Sequence, residues 1–304
     1  MTTATPSSPA TAPARPAGAT RTGGAPRPGR RGTRRRPNVL GGLGGLLWLA
    51  ITIVPVYYVV ISSLRPQEGF FASNPLGIPS HVTLGNYSLV LHSGIGRYFL
   101  NSVLITLVSV AVTVVLALMA AYAVVRGSGR FVRSAFSVFL LGLAIPVHAT
   151  IIPLYYMITR VHLYDSLAAL ILPSIGFAVP ITVLILANFV RDIPKELFES
   201  MRMDGAGDLR TLWSLVLPLA RPAIVTVAIY DGLHVWNGFL FPLILTQSPD
   251  NRVLPMALWT FQGEFTVNVP AILAAVVLST LPMLAAYLVG RRYLVRGLTA
   301  GFGK

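Results

Sequence analysis

Six stretches of this chain, residues 40–64, 102–125, 134–158, 166–190, 223–245 and 269–289, are apolar and, but for Asp231, contain no Lys, Arg, Asp or Glu. A helix rises 1.5 Å per residue, so about 20 apolar residues cross the ~30 Å hydrocarbon layer of a bilayer. Backbone polar groups in lipid must be satisfied within the segment or in a closed barrel. Stretches of this length without period-two alternation therefore predict helices. The expected fold class is all-α, a polytopic membrane protein with six transmembrane helices. Composition agrees: 54% of residues are hydrophobic and 11% charged, where a soluble domain has about a quarter charged.

The first stretch is too long for the apolar part of a cleaved signal peptide, about 7–15 residues, so it is expected to be retained. Six spans place both ends of the chain on one side. With the ends inside, twenty Lys and Arg fall in inner segments and four, Arg65, Arg97, Arg160 and Arg252, in outer ones. That asymmetry predicts cytoplasmic termini in a multi-pass protein. The expected division is a disordered Arg/Pro-rich tail (1–39), the first span (40–64), an outer segment (65–101), a core (102–289) containing the inner loop 191–222, and an inner tail (290–304).

The formal charge of +14 is uneven, because residues 1–39 hold eight arginines and no acid. Base stacking would require aromatic residues among them, and there are none, which argues against a nucleic-acid arm. The arginines instead suit retention of this end in the cytoplasm. The absence of cysteine excludes disulfides, thiolate chemistry and cysteine metal sites. Gly41, Gly42, Gly44 and Gly45 suggest close approach of another helix to the first span. Pro146, Pro153, Pro173 and Pro180 suggest kinks in the third and fourth.

The inner loop reads RDIPKELFESMRMDGAGDLRTLWSLVLPLARP from Arg191 to Pro222. Pro194 suits a helix start, with Glu196 and Glu199 near the positive end of the dipole. Leu197, Phe198 and Met201 make an apolar stripe. Gly205 and Gly207 permit left-handed dihedrals and force a turn. Asp208 is placed to cap a second helix, with Leu209, Leu212, Trp213 and Val216 on one stripe that stops before Pro218. Periodicity leaves two readings open: a helix pair resting on headgroups, or a docking element for a cytoplasmic partner.

Glu199-Ser200-Met201, Gly205 and Val216-Leu217-Pro218 resemble, in order and spacing, the EAA loop of the membrane subunits of ATP-binding-cassette importers. Asp204-Gly205-Ala206-Gly207 matches the usual form around the glycine, while Ser200 and Met201 replace two alanines. Ser63-Leu64-Arg65-Pro66, Ile152-Pro153-Leu154-Tyr155, Val235-Trp236-Asn237 with Phe239, and the ending from Arg292 to Gly301 are similar to the maltose-type carbohydrate branch. Gly238 stands where that branch commonly has Glu.

The resemblance implies a type I importer permease fold and half of a pathway for a carbohydrate, an oligosaccharide in the first instance. It also implies a bacterial inner-membrane location and these partners: a second permease subunit in a heterodimer, two ATPase subunits and an extracytoplasmic solute-binding protein. Glu199, Ser200, Asp204, Gly205, Ala206, Gly207, Leu217 and Pro218 would couple the chain to the ATPase. The permease would be no enzyme, would bind no cofactor or metal, and would leave ATP and Mg to its partner. The sequence has no G-x-x-x-x-G-K-[ST] phosphate loop within a strand-to-helix context.

Asp231 falls near mid-bilayer in the fifth span, with His234 and Asn237 on a shared face. These groups, with Trp236, are either a polar lining for a hydroxylated solute or internal packing and pairing; both stand at this point. An aspartyl or serine intramembrane protease lacks its second acid or its Ser-His pair. The remaining alternatives are a permease for another small polar solute and an ion-coupled secondary transporter using Asp231 and His234.

Overall fold

The computed structural model describes residues 39–127, 129–263 and 267–300, and side chains are described up to Leu288. The expected disorder of the arginine tail concerns residues 1–38, which lie outside the described residues. The chain divides into two units between Trp48 and Leu49. The helices are α1 (Val39–Ser63), α2 (Gly85–His92), α3 (Ile95–Arg126), α4 (Arg130–Leu143), α5 (Ile151–Arg160), α6 (Ala168–Arg191), α7 (Lys195–Met203), α8 (Asp208–Thr211), α9 (Leu217–Trp236), α10 (Leu240–Leu245) and α11 (Val269–Ala300). Among the described residues the one β pairing is an isolated bridge between Gln262 and Val267.

Five helical segments are each long and apolar enough to cross a bilayer: Leu40–Ser63, Ile95–Arg126, Ala168–Arg191, Asp208–Trp236 and Val269–Leu288. The sixth expected span differs from a straight helix. It is two helices, α4 and the segment Val147–Arg160, bent by 95°. Pro146 explains the break, since it offers no N–H and disfavours the helical conformation in the residue before it. Pro173 and Pro180 lie inside a continuous α6.

The second unit is organised around α3. At 32 residues it is about 48 Å long, more than the hydrocarbon layer requires. Asn101, Ile105, Ser109, Thr113, Ala117 and Ala121 recur every fourth residue and are all buried. This ladder of mostly small side chains lets other backbones approach, which is how helices associate when lipid is as apolar as their side chains. Ala117 and Ala121 share a core with Val183, Leu186, Ala187 and Val190 of α6 and with Val216, Ala220 and Val227. On α1, a Cβ at Gly42, Gly44 or Gly45 would meet no heavy atom of this chain within 4 Å. A close contact between α4 and α6 lies at Gly142, whose Cβ position is 2.9 Å from the Pro180 ring.

Other bounds shift too. The outer segment contains α2 and the first turns of α3, and α11 continues past 289 to Ala300. Asn86 is buried and donates to the carbonyls of Ser63 and Arg65. Arg65 is buried as well, its guanidinium donating to Ser73 Oγ and to the carbonyls of Asn74 and Gly77.

Candidate functional site

The inner loop folds as an elbow. α7 starts after Pro194 and ends in a Schellman turn: Ala206 N–H donates to the Met201 carbonyl at 2.9 Å and Gly205 N–H to the Arg202 carbonyl at 3.0 Å. Gly205 has φ +74°, the left-handed conformation that a β-carbon disfavours. Gly207, also expected to be left-handed, is extended at φ −74° and ψ 170°, and it is the N-cap of α8. Asp208 therefore sits in the first turn of α8 instead of capping it. Its carboxylate accepts the Tyr122 hydroxyl at 2.9 Å.

The second arm does not stop before Pro218. α8, a π turn over Leu212–Val216 and α9 form one segment, Asp208–Trp236. Pro218 cannot donate to the Ser214 carbonyl, and Leu217 N–H bonds to Leu212 O instead, so the helix widens by one residue and continues. The fifth span is thus fused to the elbow at one end. At the other it ends early, at Trp236, and resumes after Asn237–Phe239 as α10.

The elbow presents two faces. Phe198 is 3% exposed, with its ring centre 6.5 Å from that of Tyr122 and the Arg126 guanidinium 4.4 Å above it. Ala206, Leu212 and Val216 are buried as well. The opposite face leaves Leu197, Met203, Leu209 and Trp213 exposed, Met203 at 83%, beside exposed Glu199, Ser200, Asp204, Gly205 and Gly207. Both expected stripes are therefore split, one residue set in the bundle and one outside it. Leu217 is half-buried and Pro218 exposed. Tyr122, Arg126 and the buried role of Phe198 had no signal in the loop's own periodicity, because their partners lie more than 70 residues away.

The second feature is a cavity of about 450 Å³ whose walls include Asp231, His234, Tyr230, Ser174, Phe177 and Phe239. A second, apolar cavity of about 450 Å³ lies between the bent α4–α5 pair and α6, and Gly142, Ile145 and Phe177 line both. Asp231 is 1% exposed and forms the wall from behind. One oxygen accepts Thr182 Oγ1 at 2.8 Å, while the hydroxyl also lies 2.9 Å from the Ala178 carbonyl; the other oxygen is buried without a partner. His234 is exposed and packs edge-on to Tyr230 at 4.5 Å.

The two other residues of the expected set lie off the cavity wall. Trp236 is buried against Phe99 and reaches the Ser279 carbonyl at 3.4 Å, so packing accounts for it. Asn237 donates to the Leu233 carbonyl and caps its own helix. A Cβ at Gly238 would stand 3.0 Å from the Val235 carbonyl, so the bend that follows Trp236 favours glycine at this position.

At the opposite end of the bundle the loops are tied by polar groups. Asp165, at φ +57°, accepts the backbone N–H of Gln247 and Ser248, and its carbonyl and carboxylate both accept Asn251. Burial pushes the Asp165 carboxyl up, but these hydrogen bonds outweigh it and hold the group below its ordinary value. Asn101 donates to the carbonyls of Asp250 and Arg252. Ser102 accepts Leu254 N–H. Arg97 pairs with Asp250 at 3.0 Å.

The described residues thus form an all-α bundle of apolar spans with a two-faced elbow at one end and a cavity inside. The pattern of the family described as binding-protein-dependent transport system inner membrane component matches residues 113–299, and the chain belongs to that family. The diacetylchitobiose uptake system permease protein NgcG of Streptomyces coelicolor is 34% identical over 84% of this chain and 85% of its own length. The melibiose/raffinose/stachyose import permease protein MelC of Bacillus subtilis is 28% identical over 82% of this chain and 90% of its own. A bacterial alginate ABC transporter, crystallised with a periplasmic protein bound to alginate pentasaccharide, has a chain of the same fold. It superposes with a TM-score of 0.63 over 84% of this chain and 94% of that one, at 14% identity.

Proposed function

We propose that this chain is a permease subunit of an ATP-driven importer of carbohydrate, oligosaccharide first, and forms half of the pathway. The observation that carries the reading is the elbow: a Schellman turn at Gly205 presents Glu199, Leu197, Met203 and Trp213 outward while Phe198 and Val216 root it in the bundle. A short, rigid, amphipathic helix offered in this way suits a groove on a partner. We assign Glu199, Ser200, Asp204, Gly205, Ala206, Gly207, Leu217 and Pro218 to contact with, or shaping of, the ATPase socket.

In this reading the elbow end faces the cytoplasm, in line with the excess of Lys and Arg there, and the end tied by Asp165 faces the solute-binding protein. ATP and Mg belong to the ATPase subunits, and a second permease subunit completes the pathway. The cavity is the solute route through this half. His234 and Tyr230 offer it polar edges and Phe177 and Phe239 apolar faces, a mixture that suits a sugar ring. Asp231 and Thr182 stiffen the wall, and Trp236 and Asn237 hold the end of α9.

The test is uptake in vesicles by the assembled complex with its binding protein, using diacetylchitobiose, melibiose and raffinose as probes. Uptake that needs internal ATP and survives dissipation of the proton gradient is the expected result. Uptake that follows the proton gradient without ATP would point to an ion-coupled carrier and overturn the proposal.

A further inference from the structure

The elbow has two arms, and α3 touches both at neighbouring turns. Tyr122 and Arg126 lie four residues apart, on one face of the end of α3. The Tyr122 ring and the Arg126 guanidinium enclose Phe198 of the first arm. The Tyr122 hydroxyl donates to Asp208 of the second arm at 2.9 Å. Tyr122 is itself buried, so this bond forms at the edge of the core, where a charge-assisted hydrogen bond keeps more of its strength than in water. Covalent continuity already joins the second arm to α9 through the π turn at Leu212–Val216.

We infer that Tyr122, supported by Arg126, is a positioning residue that makes α3 move with the elbow, so that a displacement of the elbow is delivered to two spans together. The inference rests on the proposed coupling role. Without the hydroxyl tie, the second arm loses its polar link to α3 and keeps only the packing of Leu212 and Val216 in the shared core and its covalent link to α9. α3 carries the buried four-residue ladder that packs on α6, and α9 carries Asp231 against Thr182 of α6. A load shared between α3 and α9 therefore reaches α6 from two sides.

The chain has no cysteine, so spin labels can be placed without background. Labels at Ala123→Cys on α3 and Lys195→Cys on α7, both exposed positions outside the residues assigned to the ATPase socket, report the elbow-to-α3 distance in the assembled complex. It is measured nucleotide-free and after trapping with Mg-ATP and vanadate. The expected result is one unchanged distance in the parent. Tyr122→Phe, which keeps the ring packing, should show a second, longer population only after trapping. Asp208→Asn, which still offers an acceptor, should behave as the parent, and Asp208→Leu as Tyr122→Phe. A merely structural tyrosine would alter the nucleotide-free distance instead. Tyr122→Phe matching the parent in both states, or a parent whose elbow already leaves α3 on trapping, would overturn the inference. A further label pair, between Lys195→Cys and the ATPase subunit, separates the two levels. No nucleotide response there fails the coupling role itself, whereas a response there with Tyr122→Phe equal to the parent fails only the inference.

Discussion

Both ends of the bundle rest on apolar packing, with Leu245, Val253, Leu254 and Met256 buried at the end away from the elbow, but they differ in how many polar ties are added to it. At the elbow end, Phe198, Leu212, Val216 and Ala220 run into the same apolar core as Ala117, Leu186 and Val190. At the other end, Asp165, Asn101, Ser102 and the Arg97–Asp250 pair hold the loops by hydrogen bonds and one exposed ion pair. Apolar burial is stabilising in proportion to area and gives way only when a large side chain leaves its site. A hydrogen bond near water exchanges for one to water, at a net worth of about 1 kcal/mol. A permease that opens to one side at a time is served by this contrast. The elbow is expected to move with the core it is packed in, whereas the loops at the other end add several separate polar ties to their packing.

The largest effect that would separate the two ends is Phe198→Ala. Removing a buried ring costs about 3–5 kcal/mol, and here it also leaves the Arg126 guanidinium without its aromatic face. Co-purification of the ATPase subunits with this chain should fall sharply. An unchanged yield would show that packing does not root the elbow.

Gly205→Ala comes next. Its positive φ makes a β-carbon costly by about 1–2 kcal/mol, whereas Gly207 is extended with open space at its Cβ position. ATP-driven uptake should drop for Gly205→Ala and stay close to the parent's for Gly207→Ala. Equal losses would mean that contact, and not turn geometry, limits both positions.

Thr182→Val lies between the ends and tests the wall behind the cavity. It leaves both Asp231 oxygens unpaired, at a cost of about 1–3 kcal/mol. The thermal midpoint of the detergent-solubilised complex should fall, and Asp231→Asn in the same background should recover part of it. No recovery would place the cost elsewhere than in the carboxylate.

The smallest effects belong to the opposite end. Asp165 is held below its ordinary value of 3.8, so its contribution is present above that value and is lost as pH falls below it through the folded value. Between about pH 5 and 8 the tie is constant, and Asp165→Asn should matter little to stability but speed protease cleavage in the 247–251 loop. A midpoint that moves near neutral pH through Asp165 would contradict this assignment.

The sequence made the spans legible because lipid imposes a length and forbids charge, and the elbow legible because a glycine turn between two apolar stripes is local. What it hid is tertiary. Pro146 could be read as a kink but not as a 95° bend, since the angle depends on what packs beside it. Pro218 reads as a stop, yet the π turn before it absorbs the missing N–H and carries the helix through. Asp208 reads as a cap because the hydroxyl that claims it, on Tyr122, is 86 residues away. At the cavity, Asp231 and His234 reach the wall together, but Trp236 and Asn237 turn away. A helical wheel places residues around an axis and says nothing of where that axis ends.

The central claim is that the elbow meets a separate ATPase from inside the cell. A single cysteine at Ser200→Cys, in a chain that has no other, tests it most directly. In intact cells the account predicts no reaction with a membrane-impermeant maleimide added outside, and a cross-link to the ATPase subunit through a short bifunctional reagent once the membrane is opened. Labelling from outside, or an ATPase subunit that never cross-links, would contradict it.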